Sequence, residues 1–115
     1  MSETNKSILQ KANDAIAAGD HEGFLSYCTD DIDWQMVGDI SLEGKDAVRQ
    51  WMSKVYVVPP QFSVSQWIAE GDFVTVLGEI TLTDPNGKTT HSSYCDVWQF
   101  RAGKMAALRA FAIET

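Results

Sequence analysis

Residues 90–115 read THSSYCDVWQFRAGKMAALRAFAIET, and the fold turns on how this stretch is paired. It divides into two strand-like runs around Ala102-Gly103, a Gly-containing dipeptide of the kind that closes two-residue hairpins. With such a turn, directly opposed residue numbers sum to 205. One face then pairs Phe100 with Met105, Trp98 with Ala107, Asp96 with Arg109, Tyr94 with Phe111 and Ser92 with Ile113. The other pairs Gln99 with Ala106, Val97 with Leu108, Cys95 with Ala110 and Ser93 with Ala112. The first face is large and aromatic and carries one opposed acid–base pair. The second is small and smooth. A charge pair inside an aromatic face costs desolvation energy, so Asp96 and Arg109 are the most informative polar residues in the chain. A three-residue turn would instead set Asp96 opposite Leu108 and remove the pair.

The 115 residues suit one domain, 1–115, with a single core. Hydrophobic residues make up 44% of the chain, a globular composition. The formal net charge is −7 and no Lys/Arg cluster occurs, which argues against nucleic-acid or membrane partners. No apolar run is long enough to span a bilayer. Met1 to Asn5 is polar and lacks the apolar core of an export signal, so a cytoplasmic location is expected. Cys28 and Cys95 are then expected as free thiols.

Upstream of the hairpin the periodicity is first helical. Ile8, Ala12, Ala15 and Ile16 share one side of a helix over Ser7 to Ala18. Gly19 is a C-cap signal and Asp20 an N-cap signal, opening a second helix over about Asp20 to Cys28. Asp33 to Val37 reads as a short strand and Gly38 to Gly44 as a loop. A third helix over Lys45 to Tyr56 carries Ala47, Val48, Trp51, Met52 and Val55 as its apolar stripe, and Pro59-Pro60 stops it. From Gln61 the period changes to two: Phe62, Val64 and Ile68 alternate with Ser63, Ser65 and Trp67, and Val74, Val76, Ile80 and Leu82 with Thr75, Glu79, Thr81 and Thr83. Asp84-Pro85-Asn86-Gly87 is a turn. Three helices followed by four long antiparallel strands predict an α+β fold.

This order of elements carries Ala18-Gly19-Asp20 with Phe24-Leu25, then Thr29-Asp30-Asp31-Ile32-Asp33-Trp34. Leu42-Glu43-Gly44-Lys45-Asp46-Ala47-Val48 follows, then Asp96-Val97-Trp98-Gln99-Phe100, Gly103-Lys104-Met105 and Leu108-Arg109. In these motifs the chain resembles the SnoaL-like and ketosteroid-isomerase-like branch of the nuclear transport factor 2-like (NTF2-like) superfamily. The resemblance implies a cone-shaped barrel of three N-terminal helices on a strongly curved, mainly antiparallel sheet. It also implies a pocket for a small apolar molecule and a homodimer formed through the outer sheet face. Cys95, Ala106, Leu108, Ala110 and Ala112, on the small face, suit that sheet-to-sheet contact.

Isomerases, cyclases, hydrolases, dehydratases and non-enzymes share such folds, so the resemblance does not choose a reaction. The isomerase base would fall on Gln35 or Met36, neither of which takes a proton, and the isomerase Tyr on Ala12. The isomerase Asp matches Asp96. The polyketide-cyclase acid falls on Ile113, unless Glu114 shifts into its place. An epoxide-hydrolase-like Asp-Arg-Asp relay finds Asp96 and Arg109 but no second Asp.

The candidate catalytic residues are Asp96 as acid or base, with Arg109 or Tyr94 orienting it. Burial among aromatics raises a carboxyl pKa and a neighbouring Arg lowers it, and sequence does not give the balance; a purely structural Asp96–Arg109 pair is the competing reading. Trp34, Met36, Trp51, Tyr56, Trp98 and Phe111 are the candidates for contact with a flat apolar ligand. His91 lies on the opposite parity from Asp96, and two His residues exclude a His-rich metal site. Asp30-Asp31-Asp33 reads as helix-end and turn chemistry. No phosphate loop, nucleophile elbow or Cys-His pair occurs, and no cofactor is expected. The function expected is binding of a small apolar organic molecule, with or without cofactor-free acid–base catalysis; the rivals are a non-catalytic binding or dimerisation module and an epoxide-hydrolase-like enzyme.

Overall fold

A computed structural model describes residues 2–115; Met1 lies outside them. The elements run α1 (Ser2–Ala17), α2 (His21–Leu25), β1 (Cys28–Met36), β2 (Ser41–Glu43), α3 (Lys45–Val55), β3 (Gln61–Glu70), β4 (Phe73–Thr83), β5 (Thr89–Arg101) and β6 (Lys104–Glu114). The strands form one mixed, six-stranded sheet in the order β2-β1-β6-β5-β4-β3. The sheet is open, with β2 and β3 at its edges, so the barrel expected from the resemblance is not closed. The expected meander is β3 to β6, all antiparallel. Sequence reading missed the other half: β1 is nine residues long, starts at Cys28, and runs parallel to β6, with β2 folded back on it out of the expected loop.

The helix punctuation works as the residues suggest. α1 starts earlier than expected and ends on Gly19, which takes φ +78°, a conformation open to glycine at little cost. Gly19 N donates to Ile16 O and Asp20 N to Ala15 O, at 3.0 and 2.8 Å, a Schellman closure. Asp20 Oδ1 then accepts from Gly23 N at 2.9 Å and caps α2. α2 stops at Leu25, so Cys28 belongs to the sheet rather than to the helix. Both thiols are free; burial pushes that of Cys28 up to about 12. Of the acidic run, Asp30 faces Lys45 at 3.4 Å and Asp31 accepts from Arg101 at 2.6 Å, both on strand β1 and not at a helix end.

Two bulges correct the sequence reading of the faces. On β3 the register shifts between Val64 and Gln66. Parity inverts there: Trp67 turns toward the core and Ile68 is 53% exposed, the reverse of the simple alternation. The second bulge lies in the terminal hairpin. The two-residue turn is present, with Ala102 and Gly103 both at positive φ as a type I′ turn requires. Arg101 opposes Lys104 and Phe100 opposes Met105, but Gln99 opposes Ala107. Ala106 is the extra residue. From there outward the numbers sum to 206, so Asp96 opposes Ala110 and Arg109 opposes Val97.

The core lies between the helices and the inner sheet face. Leu9, Ala12 and Ile16 of α1, Phe24 and Leu25 of α2, and Val48 and Met52 of α3 meet Trp34, Val74, Val76, Trp98 and Leu108 of the sheet. Among the described residues no helix is long and apolar enough to cross a membrane.

Candidate functional site

A cavity of about 130 Å³ opens between the helices and the inner face of β1, β3, β4, β5 and β6. Parity along β5 sends Ser92, Tyr94, Asp96 and Trp98 into its wall. Across from them on β6 stand Leu108, Ala110 and Ala112. These small residues were expected on the outer face; the Ala106 bulge brings them inside, and their size leaves the space. Trp34 and Met36 come from β1, Trp51 and Tyr56 from α3 and its C-cap. The aromatic wall is continuous. Trp34 meets Trp51 at 5.5 Å, Trp98 at 5.8 Å and Phe24 at 6.0 Å between ring centroids, and Trp51 meets Tyr56 at 5.1 Å. Tilted and edge contacts of this kind are the arrangements that aromatic pairs prefer.

Among the described residues Asp96 is the only charged one in this wall. No Lys, Arg or His lines the cavity, and no hydrogen bond or ion pair to the Asp96 carboxyl is found among the described residues. Removal from water therefore acts unopposed and lifts its pKa to about 7. The phenols of Tyr94 and Tyr56 lie close enough to feel the carboxylate. Burial first, and then the Asp96 charge, pushes Tyr94 up to about 12 and raises Tyr56 further. Both stay protonated donors at any physiological pH. The buried Trp34 Nε1 also lacks a partner.

The expected pair of Asp96 and Arg109 does not form. Arg109 is exposed on the outer face beside Gln35 and Val97. Phe111 is likewise outside, 44% exposed. The same one-residue shift accounts for both. With Arg109 outside, the Asp-Arg-Asp relay loses its cation. Asp96, Tyr94, Trp34, Met36, Trp51, Tyr56 and Trp98 come together around the cavity. Sequence reading missed Phe24, Asn13 and Phe62 in the wall. For Asn13 the signal was available: it stands one residue after Ala12, beside the position where the isomerase Tyr was sought, and it is Asn13 rather than Ala12 that reaches the cavity. Glu114 takes the inward parity that Ile113 was expected to hold, but it is exposed and outside the cavity wall.

His91 belongs to a separate polar cluster on the outer face. Its Nδ1 meets Thr81 Oγ1 at 2.9 Å and its Nε2 meets Glu79 Oε1 at 3.1 Å, while Ser93 Oγ donates to Glu79 Oε2 at 2.8 Å. Among the described residues no group of three or more His, Cys, Asp or Glu could hold a metal ion.

Helices laid on one face of a six-stranded mixed sheet make an α+β fold of the NTF2-like kind. Residues 9–108 match the model of the SnoaL-like domain, and the chain belongs to that family. Solved structures agree on the fold. The epoxide hydrolase/cyclase-like enzyme SalBIII of salinomycin pyran-ring formation is 21% identical, with a TM-score of 0.88 over 96% of this chain and 92% of its own. A putative SnoaL-like polyketide cyclase from Jannaschia sp. CCS1 is 14% identical, with a TM-score of 0.84 over 96% of this chain and 86% of its own. A putative ketosteroid isomerase from Kribbella flavida is 16% identical, with a TM-score of 0.81 over 99% and 81%. A comparison with curated protein sequences finds no match.

Proposed function

We propose that the protein binds a small apolar organic molecule in the conical cavity and performs cofactor-free acid–base chemistry on it, of isomerase, cyclase or dehydratase type. One observation carries this reading: a single unpaired carboxyl, with a pKa of about 7, in a largely aromatic and aliphatic wall whose other polar side chains, Asn13, Ser92 and the two tyrosines, are uncharged. Near neutrality such a group is close to half protonated, the condition under which one carboxyl both gives and takes a proton efficiently. Tyr94, held protonated beside it, supplies a hydrogen bond to a carbonyl or hydroxyl oxygen of the substrate. Trp34, Met36, Trp51, Tyr56 and Trp98 exclude water and hold the carbon frame.

In a kinetic screen over small carbonyl and hydroxyl compounds, Asp96→Asn is expected to lower any detected turnover about 10²–10⁴-fold. Ala110→Leu, which fills the cavity, is expected to abolish it with the fold intact by circular dichroism. Turnover unchanged in Asp96→Asn removes the acid–base assignment. The second reading, a non-catalytic binding module, is favoured by Gln35, Met36 and Ala12, which put neither a base nor a phenol where steroid isomerases carry them. It predicts that Asp96→Asn changes affinity and that no turnover is found.

The outer sheet face is the proposed dimer surface of a cytoplasmic protein; no nucleic-acid or membrane partner is proposed. After the bulge this face presents Ile68, Phe73, Phe111 and Ile113, exposed by 53, 45, 44 and 73%. Several large apolar residues on one sheet face are what an interface covers. Sedimentation at micromolar concentration is expected to show a dimer, and Ile113→Glu with Phe111→Glu a monomer. A wild-type monomer overturns the assignment.

A further inference from the structure

We propose that the preferred occupant of this cavity is a small apolar amine in its ammonium form, its nitrogen against the Asp96 carboxylate and its carbon frame against the indoles. The proposal rests on the reading of the cavity as a binding site and names the class of molecule it selects. Three observations converge. Asp96 is the only charge in the wall and has no cation or hydrogen-bond donor among the described residues. The side chains that share the cavity with it are mostly aromatic: Trp98 two residues along β5, Trp34 against Trp98 at 5.8 Å, and the rings of Tyr94 and Tyr56. Aromatic faces present negative potential and, grouped as a cage, recognise ammonium groups. The chain carries a formal net charge of −7, which draws cations toward it. A neutral occupant hydrogen-bonds the carboxyl in either protonation state but leaves the carboxylate charge uncompensated. A cation satisfies the carboxylate and the ring faces together, and supplies the counter-charge that the fold leaves out.

Size narrows the class. A cavity of about 130 Å³ is close to the roughly 150 Å³ apolar cavity that admits benzene. That size matches a frame of one ring at most, and a steroid-sized frame does not fit without opening the wall.

The pH dependence follows from the groups facing Asp96. Tyr94 on β5 and Tyr56 after α3 are the titratable ones, and both remain neutral across the range used. Asn13 of α1, Trp34 of β1, Val76 of β4 and Ala110 of β6 carry no charge. Asp96 alone titrates, so an ammonium binds best above its pKa of about 7 and releases a proton when it binds near that pH.

The test is isothermal titration calorimetry with benzylamine and its neutral isostere benzyl alcohol, from pH 6 to pH 8.5 and in buffers of different ionisation enthalpy. At pH 8 benzylamine is expected to bind at least about 10-fold more tightly than the alcohol. The advantage should shrink as pH falls below 7, proton release should appear near pH 7, and Asp96→Asn should bring the amine down to the level of the alcohol. Ala110→Leu should remove amine binding; affinity unchanged in that variant puts the amine elsewhere and overturns the proposal. Benzyl alcohol binding as tightly as benzylamine at pH 8 overturns the cation preference and leaves the binding-site reading standing. Neither ligand binding overturns both.

Discussion

Between pH 5 and pH 8 the protein is expected to lose about 2–3 kcal/mol of stability that Asp96→Asn does not lose. The Asp96 pKa is about 7 in the fold and near the ordinary value of 3.8 in the unfolded chain. Between those values the folded state holds the proton and the unfolded state does not. The stabilisation from this group is therefore complete below the unfolded pKa and is lost as pH rises through the folded one. At pH 8 the wild type holds a bare carboxylate among Trp34, Trp98 and Tyr94, whereas asparagine is neutral at every pH. Thermal unfolding followed by circular dichroism is expected to show the melting temperature of the variant gaining on that of the wild type by roughly 10 °C between the two pH values. Carboxylates on the surface, such as Asp31 with Arg101 and Glu22 with Arg49, are common to both proteins and cancel in the comparison. A variant that loses ground at pH 8 would mean that the carboxylate is held by a partner, and the absence of such a partner is the premise of the catalytic reading.

Gly78→Ala is expected to cost about 3 kcal/mol or more, near the upper end for overpacking a well-filled site. Gly78 lies on β4, opposite Val64 on one side and Tyr94 on the other. A Cβ there would stand 2.3 Å from the Ser63 carbonyl oxygen and 3.0 Å from both the ring and the hydroxyl of Tyr94. The first contact is with backbone and cannot be relieved by a rotamer change; β3 would have to move off β4 beside its own bulge. The second would push Tyr94 out of the cavity wall. A urea titration should show the loss of stability, and ligand binding should weaken in whatever fraction stays folded. A drop in stability below about 1 kcal/mol would show that β3 moves freely and that Tyr94 is not positioned by this glycine.

The link between these two residues explains how much of the site was legible beforehand. Asp96 is identifiable from sequence because a lone acid between Tyr94 and Trp98 breaks the pattern of an aromatic face, and neighbours two apart on a strand share a face whatever the strand pairs with. Trp34 with Met36 on β1, and Trp51 in the apolar stripe of α3, follow from local periodicity in the same way. The partners across the hairpin were not legible. Arg109 and Phe111 were assigned to the Asp96 face by counting from the turn, and one extra residue, Ala106, sent both outside and brought Ala110 and Ala112 in. On β3 the bulge at Ser65 did the same to Trp67 and Ile68. The parallel pairing of β1 with β6 has no local signal, since it joins residues more than 70 positions apart.

By itself the sequence determined what each residue's neighbours along the chain decide: helix stripes and caps, the turn at Ala102-Gly103, the helix-to-strand change at Gln61, the α+β class and the family. Only the tertiary structure decided which face looks inward, because the side-chain period of a strand is two and a single unpaired residue inverts every position beyond it. That inversion left Asp96 without Arg109, opened the space beside Ala110, and turned a buried salt bridge expected on paper into a lone acid in an aromatic cavity.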